Sequence, residues 1–136
     1  MTTILVVDDS KVDQRIVGGL LEKNDRLTIA YADNGAEALE RMNRVLPDLV
    51  VSDLQMPIVD GLELVTLIRT HYPGVPVVLI TAHGSEEIAV AALERGAASY
   101  VPKSQLADLL LDTVEQVLAM ARAERGPTHL LRYLRH

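Results

Sequence analysis

The sequence predicts an α/β protein of doubly wound architecture, a parallel five-stranded sheet with helices on both faces, and three observations predict it. Five short runs rich in β-branched residues alternate with segments of helical period. The runs recur roughly every 25 residues, the length of one strand-plus-helix unit. The first, third and fourth runs are almost wholly apolar, as strands covered by helices on both sides must be.

The predicted strands span 4–7, 28–32, 49–51, 75–80 and 99–101. Ser10 caps the first helix, in which Val12, Ile16 and Leu20, four residues apart, predict the apolar face; Gly18 and Gly19 weaken it. Asn34 with Glu37, and Asp60 with Glu63, each pair a capping residue with an acid three positions on, so the second and third helices begin there. Pro73 ends the third. Ser85 before Glu86 and Glu87 predicts the start of the fourth, and Gly96 after Arg95 predicts its stop. The fifth and longest gathers Leu106, Leu110, Val114, Val117, Leu118 and Ala121 on one face, away from most of Asp108, Asp112 and Glu115. Gly126-Pro127 predicts its break.

A chain of 136 residues fits one domain, and 49% hydrophobic residues against 24% charged excludes wholesale disorder. The net charge of −6 has the wrong sign for a surface that lives on phosphate backbones, so nucleic acid is not the expected direct partner. Phe and Trp are absent, which excludes an aromatic base-stacking platform. The absence of cysteine excludes disulfides, a thiol nucleophile and Cys-ligated zinc. His71, His129 and His136 share no metal-ligand spacing and are expected at the surface. The N-terminus has no basic leader, and the longest apolar run, 75–82, is far too short to span a bilayer, so no membrane and a cytoplasmic location are expected. Charge is uneven along the chain: residues 1–120 carry 9 basic and 18 acidic groups, whereas 121–136 carry four arginines against Glu124.

In an open parallel sheet, ligands bind beyond the carboxyl ends of the strands. Strand one leads into Asp8-Asp9, strand three into Asp53, strand four into Thr81 and strand five into Lys103. Three carboxylates, a hydroxyl and an ammonium therefore converge on one edge, and each close pair of acids repels by about 1 to 4 kcal/mol, so a cation is needed. Carboxylate oxygens without His or Cys select Mg²⁺ over zinc.

The whole pattern, from about residue 3 to 120, resembles the receiver domain of two-component response regulators, the chemotaxis receiver most plainly. The residues that carry the resemblance are Asp8-Asp9, Asp53 followed by Met56-Pro57 and Asp60-Gly61, Thr81-Ala82, and Tyr100 three before Lys103. The resemblance implies a flavodoxin-like (βα)5 fold of strand order 2-1-3-4-5. It implies that Asp53 accepts a phosphoryl group from a histidine kinase or phosphotransfer protein, and that Asp8, Asp9, Asp53 and the backbone carbonyl of Gln55 hold Mg²⁺. Lys103 opposes the phosphoryl charge, Thr81 and Tyr100 switch, and Gln55 and His83 tune the lifetime. The state reaches an effector protein or domain through helix four, strand five and helix five, or through a phosphorylation-dependent homodimer. On this reading the chain is a phosphoacceptor regulatory domain, not an enzyme with an external substrate. Residues 1–125 are the expected receiver domain, and 126–136 a C-terminal tail or the start of a linker to an output region.

One departure is local: Pro102 precedes Lys103 and Ser104 follows it, where the family usually places Pro after the Lys. Three rival readings fit the pattern less well. A nucleotide or flavin binder needs a Gly-rich phosphate loop, and none follows a strand. A degenerate receiver acting as a phosphorylation-independent interaction module runs against the retention of every charged site residue. A metal-dependent phosphohydrolase differs from a receiver in turning over continuously.

Overall fold

Side-chain alternation along the first strand builds two cores. In β1 (Thr2–Val7), Ile4 and Val6 join one apolar cluster, while Leu5 and Val7 join another on the opposite face. The same period of two divides β3 (Leu49–Asp53) and β4 (Val77–Thr81), every residue of which is buried. Up to their polar carboxyl ends these strands are apolar because helices cover both faces. In this computed structural model, which describes residues 1–82, 84 and 86–134 with side chains through Glu124, α1 (Lys11–Leu21) and α5 (Leu106–Leu134) cover one face. The other carries α2 (Gly35–Arg44), α3 (Gly61–His71) and α4 (Glu86–Glu94).

With β2 (Leu27–Ala32) and β5 (Ser99–Pro102) at the edges, the sheet order is β2-β1-β3-β4-β5 and every pairing is parallel, as expected. Three helix starts also follow expectation. The Ser10 hydroxyl accepts from the Asp13 N–H at 3.2 Å, and the Asn34 and Asp60 side chains accept from Glu37 and Glu63 N–H, each at 2.8 Å. Gly96 closes α4 with φ +112°, a conformation that favours glycine. The cap expected at Ser85 lies outside the described residues.

Three expectations are corrected. Val12 and Ile16 are exposed, and the buried face of α1 is Gln14, Val17, Gly18 and Leu21. Gly18 decides this: a Cβ there would stand 1.9 Å from the Tyr31 hydroxyl, so the helix packs on β2 through the residue without one. Secondly, β4 starts at Val77 and not at 75, because Pro76 has no N–H for the ladder and the Val75 N–H bonds the Tyr72 carbonyl at 3.0 Å. Finally, the break at Gly126-Pro127 does not occur, and α5 continues to Leu134. Proline removes a single backbone donor there, and the helix formers on either side, Ala121 to Arg125 and Leu130 to Arg132, favour continuation.

Candidate functional site

Parallel pairing aligns β1 and β3 so that Val7 faces Ser52, which sets Asp8 and Asp9 beside Asp53 at the carboxyl edge of the sheet. One oxygen from each of the three carboxylates lies within 4.8 Å of the others. Asp8 and Asp53 are buried, whereas Asp9 is exposed.

Burial pushes the Asp8 carboxyl up to about 6, aided by the Asp53 and Asp13 charges and opposed by the Ser10 N–H, which donates to Asp8 Oδ1 at 2.9 Å. Asp53 is also raised, first by burial and then by Asp9. Lys103 and the backbone N–H groups of Gln55 and Leu54 pull it back. Lys103 Nζ stands 3.8 Å from Asp53 Oδ2 and 3.6 Å from Asp13 Oδ2. Partial burial works against its charge, but Asp53, Asp13 and Asp8 outweigh that effect and raise its pKa. The donor set fits a hard divalent cation: three carboxylate oxygens converge, and the two buried groups are those pushed toward protonation, a cost that a bound cation removes.

Thr81 is buried at the end of β4, paired with Pro102 just before Lys103, and Asp53 pairs with Ile80, so Thr81 lies one step past the register of Asp53. Tyr100 is half-buried against the cluster beneath α2, α3 and α4. Gln55 is exposed and, with Met56, Pro57 and Ile88, lines a cleft of about 560 Å³ beside the site. The Lys103-Ser104 peptide is trans, and Lys103 opens a 3-10 turn, Lys103–Gln105. His83 lies outside the described residues.

The sequence pattern of the family described as the response regulator receiver domain matches residues 4–115. The chain belongs to that family. This receiver domain is 32% identical over 116 residues to the chemotaxis protein CheY of Listeria monocytogenes, covering 85% of the present chain and 98% of that protein. It is 37% identical to the transcriptional regulatory protein GlrR of Escherichia coli, covering 85% of this chain but only 26% of that one. Among solved structures, NtrX of Brucella abortus superposes with TM-score 0.88 at 34% identity, covering 96% of this chain and 30% of NtrX. The separate NtrX receiver domain gives 0.81 at 36% identity, covering 85% and 98%. The receiver domain is a regulatory module of two-component signalling and not a classical enzyme. Among the described residues no helix is long and apolar enough to cross a membrane.

Three residues in or beside the site were missed by sequence reasoning. Gln14, buried in α1, donates from Nε2 to the Asp8 carbonyl at 2.7 Å and to Asp33 Oδ1 at 2.8 Å, tying the turn after β1 to the end of β2. Asp33 also accepts from Lys11 Nζ at 2.7 Å, and these two donors hold its carboxyl below the usual range. Asp13 reads in sequence only as the acid three residues after an N-cap. Nothing local separates it from Glu37 or Glu63.

Proposed function

We propose that Asp53 is the phosphoacceptor of a two-component relay. An Asp53 carboxylate oxygen attacks the phosphorus of a phosphohistidine; the new P–O bond forms as the P–N bond breaks, and the imidazole nitrogen leaves with the electron pair. Reversal to the resting state is attack by water, which releases phosphate and restores the carboxylate. The observation that carries this reading is the cluster itself: Asp53 is buried at a strand end with two further carboxylates and one ammonium around it.

Asp8, Asp9, Asp53 and the Gln55 carbonyl hold Mg²⁺, which neutralises the charge of the in-line transfer when bound. Lys103 supplies the positive charge from the opposite side, and burial of Asp53 limits access of water to the acyl phosphate. Thr81 reads the modification through its hydroxyl, Tyr100 follows it inward, and the surface of α4, β5 and α5 carries the state to an effector or to a second copy. Gln55 and His83 tune how long the phosphoryl group survives. A cytoplasmic setting supplies the phosphodonor, either a sensor histidine kinase or a phosphotransfer protein. Residues 1–125 act as the receiver, and 126–136 form a C-terminal tail or the start of a linker to an output region.

The test is intact mass after incubation with a small acyl phosphate, with Mg²⁺ or with chelator. A metal-dependent gain of about 80 Da that decays with time, and that Asp53→Asn abolishes, is the expected result. Unchanged labelling of Asp53→Asn overturns the assignment. Continuous turnover of a phosphomonoester points instead to a phosphohydrolase.

A further inference from the structure

We infer that Asp13 is a positioning residue, which shares the Lys103 ammonium with Asp53 and restrains its commitment to the group that Asp53 carries. The inference rests on the phosphoacceptor reading of Asp53. Lys103 Nζ lies 3.6 Å from Asp13 Oδ2 and 3.8 Å from Asp53 Oδ2, both longer than a committed ammonium-carboxylate hydrogen bond of about 2.8 Å. The ammonium is therefore suspended between two acids on different elements. Asp13 is held in place by α1, where its N–H donates to the Ser10 hydroxyl. Lys103 comes from the turn after β5.

The two acids are not equivalent. The Asp13 side chain is 38% exposed and water solvates its charge, whereas that of Asp53 is 8% exposed and depends on its neighbours. A cleft of about 380 Å³ lined by Asp8, Asp13, Ile16, Ile80, Lys103 and Ser104 leaves open space around the lysine on its Asp13 side. Phosphorylation turns the singly charged Asp53 carboxylate into an acyl phosphate that carries up to about two negative charges, which draws the ammonium that way. Asp13 pulls against that motion, and its carboxylate can return to water once the lysine leaves.

A plain capping acid makes no such demand on Lys103, and a double-mutant cycle separates the two roles. The labelling rate with acetyl phosphate and Mg²⁺ is measured by intact mass on the full chain in four proteins: wild type, Asp13→Asn, Lys103→Ala and the double variant. Asp13→Asn is expected to label about threefold to tenfold faster than wild type, the effect of removing one half-exposed charge at this range. Asp13→Glu keeps the charge and stays within about twofold of wild type, and Asp13→Asn in the Lys103→Ala background does the same.

Equal acceleration in both backgrounds overturns the inference, because Asp13 then acts on the anionic donor directly. No acceleration beside Lys103 overturns it as well. A wild type that takes no label overturns the phosphoacceptor reading and this inference together, whereas a labelled wild type with an indifferent Asp13→Asn overturns this inference alone. Should Lys103→Ala take no label, the Lys103 Nζ resonance of ¹⁵N-lysine protein decides. A resonance that moves on Asp13→Asn supports the shared pair, and one that stays overturns it.

Discussion

Gly61 stands against the backbone of Asp53 so closely that a Cβ on it would lie 2.6 Å from the Asp53 carbonyl oxygen and 2.7 Å from Leu54 Cα. The contact is made by the first residue of α3, whose N–H donates to the Leu54 carbonyl at 2.8 Å. Backbone cannot swing aside as a side chain can. Gly61→Ala is therefore expected to cost about 1 to 3 kcal/mol of stability and to displace the turn that carries Asp53. Denaturant titration measures the first effect, and a labelling rate reduced relative to wild type measures the second. A variant as stable as the parent refutes the close approach.

Asp8 makes the protein sensitive to pH when chelator keeps metal away. Its carboxyl is raised from 3.8 to about 6 in the folded chain, so the folded form binds more protons than the unfolded form across that interval. The stability this contributes is fully present below about pH 4 and is lost as pH rises through about 6. Relative to Asp8→Asn, the wild type should lose about 1 to 3 kcal/mol over this range. Thermal unfolding of both proteins in chelator tests the difference, and Mg²⁺ added at pH 7 should restore stability to the wild type more than to the variant.

Lys103→Ala is expected to accept the phosphoryl group yet transmit it poorly. The Asp53 carboxylate, as attacking group, survives the substitution, but the cation that responds to its modification does not. Amide hydrogen exchange in α4, compared with and without phosphodonor, should change in the wild type and change far less in Lys103→Ala. An equal response in both proteins removes the role assigned to Lys103.

Ile58 has φ +69° and is 88% exposed. A β-branched residue in the left-handed region carries strain of about 1 to 3 kcal/mol and here gains little burial in return. Ile58→Asn should raise stability by about 0.5 to 1 kcal/mol, since asparagine tolerates this conformation. Equilibrium unfolding reads the change, and a destabilised variant contradicts the prediction.

The parallel sheet and the meeting of Asp8, Asp9 and Asp53 were legible because they depend on rules that act locally and then repeat, whereas the strand order came from the family resemblance. Apolar runs mark buried strands, caps mark helix starts, and parallel strands bring their carboxyl ends to one edge, so residues distant in sequence meet through topology alone. The caps at Ser10, Asn34 and Asp60 needed only residues three apart. By contrast, the stripe of Val12 and Ile16 gave the wrong face of α1, because which side of a helix is buried depends on the neighbour it meets. Here Tyr31 of β2 closes on Gly18.

What the sequence by itself determined is the sheet and the acids at its edge, which follow from local period and strand-end chemistry, and the family, which the motifs at those strand ends reveal by resemblance. The tertiary structure alone decided that Asp13 and Lys103 meet and that Gln14 ties the turn after β1 to β2. Both contacts depend on how α1 is rotated and set against the strand ends, and no local spacing in the chain encodes either.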